Sequence, residues 1–263
     1  MRWINLFISA LIIGGAQVMA QDLDARTIMD RAFEATKLDG AESVSTMTII
    51  DGKGRERIRK IAQASKLTNA GKTEKKLIRF LAPADVKGTG LLTFDHENAD
   101  DDMWLFMPAL RKTRRIVSSE KAKSFMGSEF SYADINPPTL DDFTFTLLGE
   151  EELDGERCWK IEMIPVDEDV ADENGFSKRI SWVAQSNQMN WKSIYYDLDE
   201  ELLKTLTVGE VKLIDPAKKK YRAMHLEMVN HQNDRRSILH IDQIQFAPQV
   251  KESFFTTRYL ERQ

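Results

Sequence analysis

Hydrophobic and polar residues alternate along most of this chain, which is the pattern of β-strands that bury one face. The run RCWKIEMI is typical, because Trp159, Ile161 and Met163 fall on one face and charged residues fall on the other. The predicted strands, in chain order, are ESVSTMTIID, RERIRKIAQASKL, KTEKKLIRFLAP, GTGLLTFDHE, MWLFMP, KTRRIVSS, LDGERCWKIEMIPV, SKRISWVAQ, NWKSIYYDLD, LLKTLTVGEVKLI, YRAMHLEMVNHQN and SILHIDQIQF. Their spacing predicts an antiparallel meander, and DGKG between the first two strands predicts a hairpin turn.

A single helix is predicted ahead of the strands, in DLDARTIMDRAFEATKLDG. Asp24 is placed to cap its first turn, and Gly40 is expected to end it. Its apolar stripe consists of Ile28, Met29, Ala32 and Phe33. Because a helix cannot bury such a stripe by itself, we expect this helix to pack on the sheet.

Residues 122–143 interrupt the strand pattern. Their sequence, AKSFMGSEFSYADINPPTLDDF, contains a glycine, two adjacent prolines and capping serines and threonines, which together predict a loop with short helical turns. A sheet of ten or more antiparallel strands curls strongly because of its twist. The predicted fold class is therefore mainly β: a curved antiparallel sheet forming an unclosed half β-barrel, with the N-terminal helix and a helical or loop lid over its concave face.

The run DDMWLFMPALRKTRRI, residues 101–116, differs from the other strands because it begins apolar on both faces. In an extended chain Trp104 and Phe106 point to one face. Met103 and Leu105 point to the other face, together with Met107. We expect such a strand to be covered on both sides, so that it lies beneath the helix or the lid, or lines a cavity.

Arg114 and Arg115 follow this run directly and must point to opposite faces if residues 113–118 are extended. One of them would then face the covered side, where a buried guanidinium needs an acceptor. The candidate acceptors in the lid are Glu129, Asp134, Asp141 and Asp142. The hypothesis is an arginine that holds the lid shut until cargo or a partner competes for it. The alternative is a solvated strand edge.

The first 20 residues predict a signal peptide and lead to the periplasm as the expected location. Arg2 precedes an apolar run at 6–16 that is too short for a comfortable membrane span, and Val18 and Ala20 have the spacing that signal peptidase reads. Gln21 would then begin the mature chain, with residues 21–263 as one domain. A retained N-terminal anchor is the alternative. The net charge of −5 argues against a nucleic-acid partner.

Motifs for catalysis and metal binding are weak. The four histidines match no metal-binding spacing, and the sequence contains neither a nucleophile elbow nor a phosphate-binding glycine loop. The acidic run at 100–102 is more typical of a solvated loop than of a calcium site. Cys158, the only cysteine, lies mid-strand and is expected to be a buried structural thiol. We expect no enzyme, metal or cofactor; a lipid-acting enzyme using Asp141 and Asp142 is the catalytic alternative.

Three segments combine into a specific pattern: RFLAPADVKGTGLLTF, DDMWLFMPALRKTRRI and SFMGSEFSYADI. Together with the order of signal, helix and strands, they resemble the LolA-like family of outer membrane lipoprotein-sorting proteins of the Gram-negative periplasm. The matching positions are Trp104, Phe106 and Pro108 in the strand motif, and Phe125, Met126, Gly127, Ser128 and Asp134 in the lid motif. The YYDLDEEL turn departs from the family, because it lacks the Asp-Gly of comparable hairpins.

The resemblance implies an unclosed barrel with a lid over a hydrophobic cavity, and a periplasmic carrier of lipid or lipoprotein acyl chains from the inner to the outer membrane. The predicted cavity and lid residues are Trp104, Phe106, Met107, Pro108, Phe125, Met126 and Phe130. Arg114 and Arg115 are the predicted lid latch or anionic head-group site. The expected partners are the acyl chains and an inner-membrane transporter, with the carrier itself a monomer.

A non-carrying periplasmic adaptor of an RND- or MMPL-type lipid exporter is the alternative function. The carrier requires a continuous apolar cavity on the order of several hundred Å³, whereas the interior of the adaptor is merely its packed core. Nine of the 11 methionines lie after residue 20. This content suits a surface that receives variable apolar shapes, and ordinary core filling is the alternative explanation.

Overall fold

The computed structural model describes residues 23–97 and 99–262. Its centre is one antiparallel sheet of 13 strands. The predicted signal peptide, residues 1–20, lies outside the described residues, as does Gln21. Within the two described ranges, no helix has the length and apolar character needed to cross a membrane.

Most strands pair with their neighbours in sequence. The strands are β1 (Gly40–Ile50), β2 (Glu56–Thr68), β3 (Thr73–Ala82), β4 (Gly90–His96), β5 (Asp102–Met107), β6 (Lys112–Arg115), β7 (Phe143–Leu153), β8 (Glu156–Pro165), β9 (Lys178–Ala184), β10 (Asn190–Tyr196), β11 (Leu202–Asp215), β12 (Lys220–Asn230) and β13 (Arg235–Phe246). The helices are α1 (Ala25–Glu34), α2 (Glu168–Asn174) and α3 (Thr257–Leu260). The order in the sheet is β6-β5-β4-β3-β2-β1-β13-β12-β11-β10-β9-β8-β7, so in the described chain β6 and β7 are unpaired edges. The predicted mainly β, unclosed antiparallel sheet is confirmed.

The sheet is strongly curved, as shown by side chains from distant strands that meet on one face. Phe80 on β3 and Met163 on β8 belong to the same buried cluster, although seven strands lie between them in the sheet. Phe125 and Phe130, which lie between β6 and β7 in the chain, belong to this cluster as well. The concave face is therefore a covered hydrophobic core, as expected from the twist of so large a sheet.

The N-terminal helix α1 packs on the concave face near β8 and β9. Asp24 caps this helix as predicted, since its Oδ1 accepts a hydrogen bond from the Thr27 backbone N–H at 3.0 Å. The apolar stripe is buried as predicted: Ile28 is 1% exposed and belongs to one cluster with Val183 of β9. The packing of this stripe on the sheet fixes one wall of the covered interior.

The helix ends at Glu34, and Gly40, the predicted terminator, instead begins β1. A Cβ atom at position 40 would lie 2.4 Å from the backbone oxygen of Ala247. Glycine is required because the backbone there approaches the segment after β13, and the Ala247 N–H donates to the Gly40 carbonyl at 2.8 Å. This glycine thus marks a close backbone contact rather than a helix end.

Residues 122–142 form the lid, which is built from turns. Ser124 and Ser131 form an isolated bridge, and a 3-10 turn covers Leu140–Asp142. The predicted loop with short helical turns is confirmed, except that Phe143, its predicted last residue, begins β7. β7 is not among the predicted strands, because only FTFTL at its start alternates, directly after the loop, and the rest of this edge strand is mostly polar and exposed.

The two apolar faces of β5 are covered by different parts of the chain. Met103 and Leu105 belong to the concave core beneath the lid. Phe106 belongs to a second cluster on the outer face, together with Phe255 and Leu260 of the C-terminal segment. The predicted cover on both sides is confirmed, but the outer cover comes from a C-terminal segment that the sequence does not identify.

Candidate functional site

A cavity of about 360 Å³ lies on the concave face, between the lid, α1 and the sheet. Its wall is mainly apolar. The apolar side chains that line it include Met47, Ile61, Ile78, Phe125, Phe130 and Leu226. Cavities that bind small ligands have volumes of about 300–1,000 Å³. The covered interior therefore has room for an apolar ligand.

A second groove, of about 580 Å³, lies on the outer face of β1, β2, β3 and β13. Its lining includes the polar residues Glu42, Arg79 and Gln243, and Phe254 and Tyr259 form part of one side. This groove is more open to solvent than the inner cavity, so it would remove less of an apolar ligand from water. The inner cavity is the better candidate site, although the outer groove is larger.

Two of the predicted cavity residues, Phe125 and Phe130, line the inner cavity. Both are buried, and the ring centroid of Phe125 lies 5.8 Å from that of Phe80. Met107 and Met126 pack against the same core but are not part of the cavity wall. Ligand binding by these side chains stays a prediction.

The sequence also assigns Trp104, Phe106 and Pro108 to the cavity, but the structure places them elsewhere. Trp104 and Phe106 lie on the outer face of β5, where the Trp104 ring lies edge-on to Phe94 with 5.2 Å between centroids. Strand alternation requires this placement, because Leu105 between them faces the concave core. Pro108 begins a 3-10 turn after β5 and is not part of the cavity wall.

Arg114 forms a partly buried ion pair and Arg115 an exposed one. Arg114 Nη1 lies 2.6 Å from Glu120 Oε2, and Arg115 Nη2 lies 2.5 Å from Asp102 Oδ1. Their side chains are 41% and 57% exposed, so neither provides the buried guanidinium expected from the sequence. The physical reason is that both residues belong to β6, the outermost strand at one edge of the sheet.

The buried arginine beside the lid is Arg59 on β2, which the sequence motifs do not single out. It is 8% exposed, and its guanidinium carbon lies 5.7 Å from the ring centroid of Phe80, which packs on Phe125. Burial lowers the pKa of Arg59 below its ordinary value. Its Nη1 has no hydrogen-bond partner among the residues that the structure describes. The sequence offers one signal that Arg59 points inward: it lies two residues before Ile61 and therefore on the same face of the strand.

A buried ion pair between Asp134 and Lys204 joins the lid to β11. Lys204 Nζ lies 2.7 Å from Asp134 Oδ2, and the side chains are only 10% and 15% exposed, respectively. Asp134 also accepts hydrogen bonds from the Ser131 backbone N–H at 2.8 Å and from its hydroxyl at 2.9 Å. Burial alone would raise the pKa of Asp134, but the charge and hydrogen bond of Lys204, together with the hydrogen bonds from Ser131, hold this pKa below its ordinary value.

A second set of contacts joins the lid to β12 and β13. Arg235 Nε lies 3.0 Å from Glu129 Oε1, and Arg235 Nη2 donates to the Gly127 carbonyl at 2.8 Å. Asn230 donates to the other carboxylate oxygen of Glu129 at 2.9 Å. The Glu129 backbone N–H donates to the Ser237 hydroxyl at 2.9 Å. These contacts fasten the lid to β12 and β13, whereas its own chain enters it from β6.

Asn136 makes a third set of contacts between the lid and the sheet, and it is 5% exposed. Its Oδ1 accepts hydrogen bonds from Thr93 Oγ1 at 3.1 Å and from Lys76 Nζ at 3.3 Å. Its Nδ2 donates to Asp101 Oδ2 at 2.7 Å. Burial raises the pKa of Asp101, and it raises the pKa of Asp95 to about 6. The lid is thus fastened by polar groups, while its aromatic side chains face the core.

Two of the four carboxylates predicted as lid acceptors, Glu129 and Asp134, pair with basic residues of the sheet. Asp141 is instead 82% exposed and pairs with Arg26 of α1. Neither Asp141 nor Asp142 belongs to the cavity wall in the part of the chain that the structure describes. The geometry therefore does not place these two carboxylates where a lipid-acting enzyme would need them.

Charged groups also lie in the cavity wall. Glu74 is 3% exposed; its Oε2 lies 3.1 Å from Lys76 Nζ, and its Oε1 lies 3.7 Å from Arg222 Nη2. Burial alone would raise the pKa of Glu74, but Lys76 and Arg222 outweigh burial and lower it. At this end of the cavity both cations share a carboxylate partner. Across residues 23–97 and 99–262, no cluster of His, Cys, Asp and Glu side chains has a metal-binding arrangement.

Cys158 is fully buried on β8, in one cluster with Trp182 and Ala184. Burial raises the pKa of its thiol to about 11, so the thiolate is scarce at neutral pH. The prediction of a buried structural thiol is confirmed.

Comparison with known proteins identifies related folds. A family model described as an uncharacterized protein matches residues 72–262. A structure from Vibrio parahaemolyticus, described as an outer membrane lipoprotein-sorting protein domain, is 28% identical, with a TM-score of 0.82, and the match covers 90% of this chain and 98% of that one. A DUF1329 family protein from Desulfovibrio piger is 27% identical, with a TM-score of 0.82, and the match covers 90% of this chain and 97% of that one.

A third solved structure, of a LolA superfamily protein from Nitrosomonas europaea, shares the fold at a TM-score of 0.68. It is 21% identical, and the match covers 90% of this chain and 99% of that one. No curated protein has a significant sequence match to this chain. The 13-stranded open sheet of this chain is thus the fold of the lipoprotein-sorting protein domain from Vibrio parahaemolyticus. The chain belongs to this LolA-like family, as the three sequence motifs predict.

Proposed function

We propose that this protein is a periplasmic carrier that binds lipid or lipoprotein acyl chains in its inner cavity and transfers them from the inner to the outer membrane. The observation that carries the proposal is the mainly apolar cavity of about 360 Å³ between the lid, α1 and the concave face of the sheet. Its relative from Vibrio parahaemolyticus, described as a lipoprotein-sorting domain, supports the same class of cargo.

The apolar wall can supply the affinity that a carrier needs. Burying one methylene group is worth about 0.8 kcal/mol, so ten buried methylenes would contribute roughly 8 kcal/mol before the costs of association and ordering. Side chains of Met47, Met163 and Met228 form part of the wall. Because methionine is flexible, these side chains allow the wall to adapt to different chains.

Release requires that the lid can open, and its fastening suits this step. The lid is joined to the sheet by hydrogen bonds and ion pairs of Asp134, Glu129 and Asn136, which water or a partner can replace. An inner-membrane transporter is the proposed donor of the cargo, and the carrier acts as a monomer.

The cavity also bears on the alternative function. A non-carrying adaptor of a lipid exporter would need only a packed interior, whereas the inner cavity leaves space for a ligand between Phe125, Ile78 and Leu226. This space supports the carrier over the adaptor.

The proposal predicts that the protein accelerates the transfer of a lipid between membranes. Donor vesicles carrying a pyrene-labelled fatty acid are mixed with unlabelled acceptor vesicles, and loss of pyrene excimer fluorescence measures the transfer. We expect the transfer rate to rise in proportion to protein concentration, because each molecule shields one acyl chain from water. A rate equal to that of vesicles alone at every protein concentration would contradict the carrier and favour the adaptor.

A further inference from the structure

Arg179 on β9 lines one end of the inner cavity and is held in a fixed position. Its Nε–H is directed at two hydroxyl groups, Ser181 Oγ at 3.0 Å and Ser193 Oγ at 3.1 Å. Both serines are fully buried, and their oxygens are 3.1 Å apart. The side-chain amide of Asn190 lies beside the guanidinium, 3.2 Å from its Nη2. This serine pair orients a positively charged group in the wall of a mainly apolar cavity.

The positive charge of Arg179 is not matched by a carboxylate. Asp134 is the carboxylate at this end of the cavity, and it is ion-paired with Lys204 at 2.7 Å. In the described part of the chain, Arg179 takes part in no ion pair with an acidic side chain. Tyr195 lies between the two cations, with its ring centroid 5.3 Å from the Arg179 guanidinium carbon and 4.9 Å from Lys204 Nζ. At this end one carboxylate therefore lies near two cations and is paired with only one of them, Lys204.

The other end of the cavity has a different balance. There Lys76 and Arg222 both contact Glu74, and Asp95 and Asp101 lie near Lys76. Positive charge in excess of carboxylates is thus found at the Arg179 end. Arg179 is partly buried, and a partly buried guanidinium is stabilised by an anion that accepts several of its hydrogen bonds; carboxylate and phosphate groups both have the matching geometry.

We propose that Arg179 binds the anionic head group of an amphiphilic cargo, while the alkyl chain lies along the apolar wall between Met47, Ile61 and Phe125. The ligand class is an alkyl chain with a carboxylate or phosphate head, bound with its head inside the cavity. This inference rests on the proposed function, because it assumes that the cavity binds alkyl chains. It adds that the cavity selects by head-group charge.

The test compares ligands that differ only in the head group: dodecanoate, dodecyl phosphate and dodecan-1-ol. Each displaces a fluorescent hydrophobic probe from the protein at pH 8, and the displacement gives its affinity. We expect the wild type to bind at least one of the anionic ligands about tenfold or more tightly than the alcohol. The better of the two anions identifies the head group.

Arg179→Gln is expected to lower the affinity for the preferred anion to that for dodecan-1-ol, and to leave the affinity for the alcohol unchanged. Arg179→Met makes the same test if the glutamine variant is unstable, because it keeps the apolar stem of the side chain. Arg157→Gln is the matched control, since Arg157 is 74% exposed and lies outside the cavity wall while the charge change is the same.

Three results would overturn the inference. If the wild type binds both anions no better than the alcohol, or if the Arg179 variants keep the preference for an anion, Arg179 does not bind the head group and the carrier function still stands. If the wild type binds none of the three ligands, the proposed function fails and the inference fails with it.

Discussion

Replacing Leu226 with glutamine is expected to weaken the binding of a fluorescent acyl-chain probe by about tenfold or more, which corresponds to about 1.4 kcal/mol. Leu226 on β12 lines the cavity and packs against the concave core. The substitution removes apolar contact with the ligand and introduces an amide that loses its hydrogen bonds to water when the ligand binds. Probe titration of the wild type and the variant measures the difference directly.

Leu213→Gln is the matched control for this experiment. Leu213 on β11 is 43% exposed and is not part of the cavity wall, so the same chemical change should leave probe affinity at the wild-type value. Circular dichroism of both variants checks that the sheet is intact. Equal affinities of wild type and Leu226→Gln would show that the acyl chain binds somewhere other than the inner cavity.

Lys204→Met is expected to lower the free energy of unfolding by about 3 kcal/mol at pH 7. The substitution leaves the Asp134 carboxylate buried without its cation, and a buried unpaired charge is costly. The double variant Lys204→Met, Asp134→Asn should recover part of the loss, because no charge is then left unpaired. Urea denaturation at pH 7 measures the free energy of unfolding of the wild type, the single variant and the double variant.

Lys218→Met is the matched control, since Lys218 pairs with Asp39 on an exposed surface, and it should leave stability close to wild type.

The same pair predicts a pH dependence with a definite sign. Lys204 holds the pKa of Asp134 below its ordinary value in the folded protein, so this group contributes stability above about pH 4. That contribution is lost as the pH falls through the lowered pKa. Without Lys204, burial raises the pKa of Asp134, and protonation relieves the cost in mildly acidic solution. The stability difference between wild type and Lys204→Met should therefore narrow from pH 7 toward pH 4; a difference independent of pH would contradict the role of this pair.

Features encoded by short stretches of sequence could be predicted. The alternation in RCWKIEMI fixes a strand because side chains in a β-strand alternate between faces, and Asp24 marks a helix start because its side chain caps a backbone N–H. The segment LLKTLTVGEVKLI forms a strand as predicted, and Leu206 and Val208 share its covered face. These outcomes depend on periodicity and on local hydrogen bonds, which the sequence contains.

Features that depend on distant contacts could not be predicted. The apolar pattern of β5 shows that both faces are covered, but not which cover lies on which face. The sequence assigns Trp104 and Phe106 to the cavity, because nothing in it identifies the four-residue helix α3 as the outer cover. Gly40 resembled a helix terminator, because its close contact with Ala247 arises from two segments far apart in the chain.

The charged groups of the site could be predicted from the sequence only in part. Lys204 shares a strand face with the cavity-lining Leu206 and Val208, so strand periodicity marks it as a charge that points inward. Arg179 shares its face with Ser181, whereas the apolar Ile180 and Trp182 lie on the other face, so periodicity alone does not mark Arg179. Their partners could not be inferred, because pairing of Lys204 with Asp134 requires the lid to fold over the sheet. The sequence instead drew attention to Arg114 and Arg115, whose position on an edge strand follows from the order of strands in the sheet.

The central claim is that the inner cavity carries an acyl chain, and native mass spectrometry of the protein purified from its own cells tests it most directly. The account predicts a stoichiometric adduct, with a lipid that is recovered by extraction and identified by its mass. A protein that carries no lipid and takes up none when lipids are added would contradict the account and point to a non-carrying adaptor.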